Sequence, residues 1–239
     1  MTKMWSLCSP QWEAAEMDAR FERNVPALSE AECELLRTKR AAVIGCGGLG
    51  GYLIEMLVRL GIGTVVAVDG DVFEVSNLNR QLLSSPALLG RKKAEAAADR
   101  IRTINPDVQV IPVCRFLDRE NAVEILRGCD VVLDGLDSIE ARYILADACK
   151  ELGIPYIFGA IQGWVAQAAV CLPGDGLIRN LYPEDVAVTD RSVLSFTPAV
   201  CAGMQISLCT KLLTNRAVEN GKLWFVDLMH QEQELIPMI

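Results

Sequence analysis

A chain of 239 residues is long enough to close one sizeable core, and 51% hydrophobic with 23% charged residues is the balance of a folded globular protein. The formal net charge of −8 excludes general attraction to nucleic-acid backbones, which depends on lysine and arginine displacing counterions. Nine scattered cysteines suit a reducing cytosol better than a disulfide framework, and no apolar stretch reaches the ~18 residues of a membrane span, so a soluble cytoplasmic protein is expected.

Residues 1–40 read as an N-terminal helical arm, polar and charged, with Ser29 capping a short helix and Glu32 three positions on to complete a capping box. Residues 41–239 read as one main domain. It opens with the buried strand "AAVIG", a glycine loop, and a helix carrying Leu53, Met56, Leu57 and Leu60 at helical spacing. Glu55 and Arg59, four apart, are placed on the wetter face of that helix, and Gly61 ends it. "TVVAVD" follows as a second buried strand. "GRKKAEAAADRIRTINP" predicts a helix stopped by Asn105 and Pro106, then come the strand "VQVIPV", the helix "RENAVEILRGC", the strand "DVVLDG", the helix "SIEARYILADACKELG" and the strand "PYIFGAI". Non-alternating, β-branched strands between helices imply an α/β, doubly wound, Rossmann-like and mainly parallel sheet. "WVAQAAVCLPGDG" and "KLWFVD" are expected to add antiparallel C-terminal strands, separated by a helix near "PAVCAGMQISLCTKLLT".

In such a sheet, ligands lie beyond the carboxyl ends of the strands. After the first strand, Gly45, Gly47 and Gly50 satisfy G-x-G-x-x-G, a loop whose small residues let backbone N–H groups approach phosphate; the pattern alone does not choose between NAD, FAD, SAM and ATP. After the second come Asp69, nineteen residues beyond Gly50 and suited to a ribose, and Asp71. After "DVVLD" come Asp134 and Asp137; one of the two is expected to cap the following helix, leaving the other free for a cation such as Mg2+. Arg91, Lys92 and Lys93 crowd the first turn of a helix, where the macrodipole disfavours positive charge and a nearby anion would relieve the conflict.

The ordered run of "RFERN", "GCGGLG", "VDGD", "SNLNRQ", "GRKK", "INP" and "VLDGLDS" resembles the ThiF/MoeB/HesA family, bacterial relatives of ubiquitin-activating enzymes, over roughly residues 20–230. The glycine motif is weak alone; joined to "SNLNRQ" and a following G-x-x-K it is specific, and it selects ATP. The resemblance implies adenylation of the C-terminal glycine carboxylate of a small ubiquitin-fold sulfur-carrier protein, with release of pyrophosphate. It implies that Gly47 and Gly48 approach the phosphates, that Asp69 binds ribose, and that Asn77, Arg80 and Lys93 contact phosphates. Asp137 corresponds to the magnesium-associated acid, and Arg23 to an arginine that reaches the neighbouring subunit's ATP in a homodimer.

The chain departs from the family at several points. Many relatives hold a structural zinc with two C-x-x-C pairs; this sequence has none, and no such zinc is expected. The loop after the adenylation core, about "EDVAVTDRSVLSFT", lacks the cysteine that some relatives use for a thioester or persulfide, while Cys171 and Cys201 on either side sit in apolar runs and read as core. Ser138 replaces an asparagine, Asn24 follows Arg23, and Ala166 stands where glycine is common. The single histidine, His230, reads as structural. Two rival readings are a nicotinamide-dependent oxidoreductase, which leaves "SNLNRQ" and "GRKK" without purpose, and a non-catalytic scaffold subunit, suggested by the missing zinc and cysteine.

Overall fold

The computed structural model describes residues 18–183 and 192–239. The first 17 residues of the expected arm, and most of the loop "EDVAVTDRSVLSFT", lie outside the described residues.

β1 (Arg40–Ile44), β2 (Thr64–Val68), β3 (Gln109–Val113), β4 (Val131–Asp134) and β5 (Tyr156–Gln162) run parallel. β6 (Val165–Cys171), β7 (Lys222–Asp227) and β8 (Glu232–Pro237) extend the sheet antiparallel, in the order β3-β2-β1-β4-β5-β6-β7-β8. The last four residues of β1 and of β2, and all of β4, are buried, as strands covered on both faces must be. β8 was not anticipated from "EQELIP", an exposed edge strand whose charged residues hide the usual apolar pattern.

One face is covered by α2 (Gly48–Leu60), α3 (Lys93–Ile104) and α7 (Thr197–Leu213) around a core that includes Leu53, Leu57, Ile101 and Cys209. The other is covered by α4 (Ala122–Leu126), α5 (Ile139–Leu152) and the short α6 (Leu177–Leu181), packing Leu126, Leu145, Tyr156 and Phe158. Glu55 is buried rather than on a wet face: its carboxylate accepts from Arg59 Nε at 2.8 Å and from Arg100 Nε at 2.9 Å, joining α2 to α3.

α1 (Glu30–Arg37) has the expected capping box: Ser29 Oγ accepts the Glu32 N–H at 3.3 Å, and Glu32 Oε2 accepts the Ser29 N–H at 2.7 Å. Arg216 then reaches from beyond α7 to Glu32 Oε1, 2.6 Å, and to the Ala27 carbonyl, 2.9 Å. The preceding 3-10 turn, Ala19–Asn24, lays the Phe21 ring against Gly61 at the C-terminal end of α2.

Pairing register sets the functional end of the molecule. Ile44 stands opposite Val68 and Asp134, and Val68 opposite Val113, so β1, β2, β3 and β4 finish level and their outgoing loops lie side by side. Between β1 and β4 the connections diverge to opposite faces, the position where open α/β sheets bind ligands.

Candidate active site

The glycine loop is built by close backbone approach. Gly45 has φ +91°, and a Cβ on it would stand 2.5 Å from the Gly135 carbonyl oxygen; a Cβ on Gly50 would stand 1.7 Å from that of Gly45. Glycine alone fits this crossing of the loops that leave β1 and β4. Gly47 is the N-cap of α2 and offers no side chain to its first N–H groups, so the helix start remains available to an anion. The Arg80 stem lies along Gly48 and the Gln81 amide along Gly47, each 3.5 Å from where a Cβ would be.

At the end of β2, Asp69 Oδ2 accepts the Cys46 N–H and Oδ1 accepts the Asp71 N–H, both at 2.8 Å. A carboxylate has about four acceptor positions, so Asp69 braces the glycine loop and keeps capacity for a ligand hydroxyl. The Asp71 carboxylate turns to Lys93, with Nζ to Oδ2 at 3.0 Å. The three cations at the start of α3 each have a partner: Arg91 pairs with Asp99, Lys92 Nζ donates to the Gly70 carbonyl at 2.8 Å, and Lys93 pairs with Asp71.

The "SNLNRQ" segment forms a 3-10 turn, Val75–Asn77. Asn77 is buried, and its Oδ1 accepts the Glu74 N–H at 3.1 Å, so its amide shapes the turn. Arg80 Nη1 donates to the Ser76 carbonyl and to Asn79 Oδ1, both at 2.9 Å, which fixes the guanidinium beside the glycine loop.

Neither Asp134, the last residue of β4, nor Asp137 caps α5. Ser138 does, its Oγ accepting the Ala141 N–H at 3.4 Å; a hydroxyl next to the helix start reaches the N–H that a carboxylate further back cannot. Asp134 is fully buried and bound to Arg142 Nε and to the Tyr156 hydroxyl, each at 2.9 Å. Arg142 Nη2 also donates to the Leu136 carbonyl, 2.7 Å, while the Leu136 N–H donates to Asp134 Oδ1, 2.8 Å. Burial opposes the Arg142 charge, but Asp134 and the flanking tyrosines hold the guanidinium above the usual arginine value. Its face packs on the rings of Phe158 and Tyr182, 5.3 and 5.5 Å to the centroids. The next residue along the loop, Asp137, is exposed and has no hydrogen-bond or ion-pair partner among the described residues.

Gly45, Gly47, Gly48, Asp69, Asp71, Asn77, Arg80, Lys93 and Asp137 therefore all belong to the loops, turns and helix starts that follow β1, β2 and β4. Arg23 does not. It lies exposed on the 3-10 turn whose Phe21 packs at the far end of α2, a 13-residue helix about 20 Å long at 1.5 Å per residue that begins at the glycine loop. Sequence reasoning passed over Gly135, whose contact with Gly45 is long-range, and Phe116, whose ring is 68% exposed and lies on Gly70 beside Asp69. It also passed over Arg142, for which a single arginine within the apolar positions of a helix was the available signal.

Cys171 and Cys201 are buried, as expected of core residues, and burial pushes the Cys201 thiol up to about 12 and that of Cys171 well above its ordinary value. His230 is exposed in the β7–β8 turn with Nδ1 2.8 Å from Asp227 Oδ2, and that carboxylate holds the imidazole above its usual pKa.

Comparison with known proteins places the chain in a family. Residues 21–238 match the ThiF family. The chain is 38% identical over 237 residues to the SAMP-activating enzyme E1 of Haloferax volcanii, covering 94% of this chain and 86% of that protein. It is 40% identical over 217 residues to the sulfur carrier protein adenylyltransferase of Thermus thermophilus, covering 85% and 80%. The probable adenylyltransferase/sulfurtransferase MoeZ of Mycobacterium tuberculosis is 39% identical over 173 residues, covering 70% of this chain but 44% of that longer protein. Among solved structures, PaaA superimposes with a TM-score of 0.79 at 20% identity, covering 97% of this chain and 78% of that one. Escherichia coli MccB with ATP gives 0.75 at 19%, covering 93% and 72%; both likenesses speak for the fold. With its motif loops gathered at one end of the expected doubly wound sheet, and a family match that runs through almost all the described residues, the chain belongs to the ThiF family.

Proposed function

We propose that the protein is an ATP-dependent adenylyltransferase that activates the C-terminal glycine carboxylate of a small ubiquitin-fold sulfur carrier and releases pyrophosphate. The observation that carries this reading is the convergence of an uncapped helix start with Arg80 and Lys93 at one sheet end, next to Asp137, whose carboxylate has no partner among the described residues. A nicotinamide reading leaves both cations without a task.

The chemistry needs no side-chain base. A peptide C-terminus has a reference pKa of about 3.3–3.7, so its carboxylate is already ionised and nucleophilic at neutral pH. The carboxylate oxygen bonds to the α-phosphorus, the bond to the bridging oxygen of the β-phosphate breaks, and pyrophosphate carries the electron pair away. The N–H groups at the start of α2, Arg80 and Lys93 orient the phosphates and offset the charge that develops on them. Asp69 takes the ribose hydroxyls. Asp137, exposed and without a partner among the described residues, would hold a hydrated Mg2+, which when bound would supply charge neutralisation.

Arg23, distant from its own glycine loop, acts on the nucleotide of a second copy in a homodimer. The reaction ends at the acyl-adenylate, a reading supported by the inert, buried state of Cys171 and Cys201; a structural zinc is not part of it, and the site of action is the cytoplasm. No described helix is long and apolar enough to cross a membrane. ATP–pyrophosphate exchange with a carrier ending in Gly-Gly tests the proposal: exchange is expected with carrier and lost in Arg80→Ala and Lys93→Ala. Exchange that does not require carrier would assign a peptide or small acid as substrate instead.

A further inference from the structure

Lys93 occupies the first position of α3, where the aligned peptide dipoles oppose a positive charge, and the residue is only 6% exposed. An ammonium has three donors. Among the described residues, its side-chain partner is Asp71 alone, at 3.0 Å. The two neighbouring cations are committed elsewhere, Arg91 to Asp99 and Lys92 to the Gly70 carbonyl.

Asp71 is held from both sides of its backbone. Its N–H donates to Asp69 Oδ1 at 2.8 Å, and its carbonyl accepts the Lys93 N–H at 3.0 Å. The carboxylate is nevertheless 58% exposed, so the ion pair has an open side. A carboxylate in this place makes a poor direct ligand for a triphosphate, because like charges within a few ångströms repel. Facing Lys93, it neutralises a cation that has no phosphate to bind.

We propose that Asp71 is the resting counter-ion of Lys93: it holds the ammonium at the carboxyl ends of the strands, yields it to a nucleotide phosphate, and recovers it when pyrophosphate leaves. One ion pair is exchanged for another in each direction, with no covalent change. Asp71 thus acts through Lys93 as a positioning residue and sets the balance between nucleotide affinity and product release. The inference rests on Lys93 being a nucleotide contact.

The test compares Asp71→Asn, which keeps the side-chain shape, with Asp71→Ala, after thermal melting has verified that each is folded. Calorimetry with MgATP is expected to give a Kd about tenfold lower for both, at the weaker end of what one elementary charge across a few ångströms produces in a solvated site. The inhibition constant of pyrophosphate falls with it. In steady-state adenylation of the carrier, KM for ATP and kcat decrease together, because tighter phosphate binding delays release; mere structural damage would raise KM. MgATP binding that is unchanged or weaker in both variants overturns the proposal, as does weakening confined to Mg2+-containing buffer, which would make Asp71 a cation ligand. Lys93→Met is measured alongside. If it binds MgATP as the parent does, the nucleotide reading of Lys93 fails; if it binds weakly while the Asp71 variants match the parent, only the counter-ion role fails.

Discussion

Arg142 shows how a residue remote from the reacting groups supports them. Its guanidinium and the Asp134 carboxylate engage both backbone polar groups of Leu136, so the loop bearing Asp137 is anchored to a buried ion pair beneath it. Gln205 braces the same place from α7, its Nε2 donating to the Asp134 and Ile157 carbonyls at 3.0 Å. Replacing Arg142 by Met leaves a buried carboxylate with the Tyr156 hydroxyl as its one remaining side-chain partner. Loss of one member of such a pair costs about 3–5 kcal/mol, so Arg142→Met is expected to lower the free energy of unfolding by that amount, read as a lower urea midpoint at unchanged slope. The double change of Asp134→Leu with Arg142→Met should recover part of the loss, since no uncompensated charge then remains inside.

At the scale of elements, the described part of the arm docks by burying Phe21, Leu28, Cys33 and Leu36, and it adds one polar contact that is titratable. Arg216 and the backbone and hydroxyl of Ser29 lower the pKa of Glu32 to about 2. A carboxylate whose folded pKa lies below its unfolded value of about 4.5 stabilises the fold fully above that value, and the contribution disappears as pH falls through the folded one. The difference in melting temperature between the parent and Glu32→Gln is therefore expected to be constant near neutrality, to shrink below about pH 4.5 and to vanish towards about pH 2. A difference that persists unchanged into acid would show that the ion pair and capping box contribute nothing through charge. Most strands and helices were legible from their sequence because burial on both faces leaves uninterrupted apolar strands, and amphipathic helices carry the 3.6-residue period. β8 and α6 were not: an exposed edge strand with three polar side chains, and a five-residue helix begun by Gly176, leave no period to read.

At the scale of the whole molecule, the separation of Arg23 from the glycine loop has a direct test. If each nucleotide site takes Arg23 from one subunit and Lys93 from the other, Arg23→Ala and Lys93→Ala are both inactive alone. Hybrid dimers carry one intact site each, so a dissociated and reassociated equal mixture should regain about a quarter of the parent activity through random pairing in a two-fold dimer. A mixture that stays inactive while hybrid dimers are demonstrably formed would rule out the shared site.

The candidate site divides along the same line. Sequence by itself determined the glycine loop, the acids after β2 and β4, and the cations of "SNLNRQ" and "GRKK", because each is a local motif whose spacing follows from strand, loop and helix geometry. Only the tertiary structure decided which partner each charge takes: Lys93 with Asp71, Asp134 with Arg142 and Tyr156, and Asp137 with none among the described residues. Those pairings depend on the level ending of four strands and on helices that meet across many intervening residues, and charge partnership acts through distance in space, which local spacing does not encode.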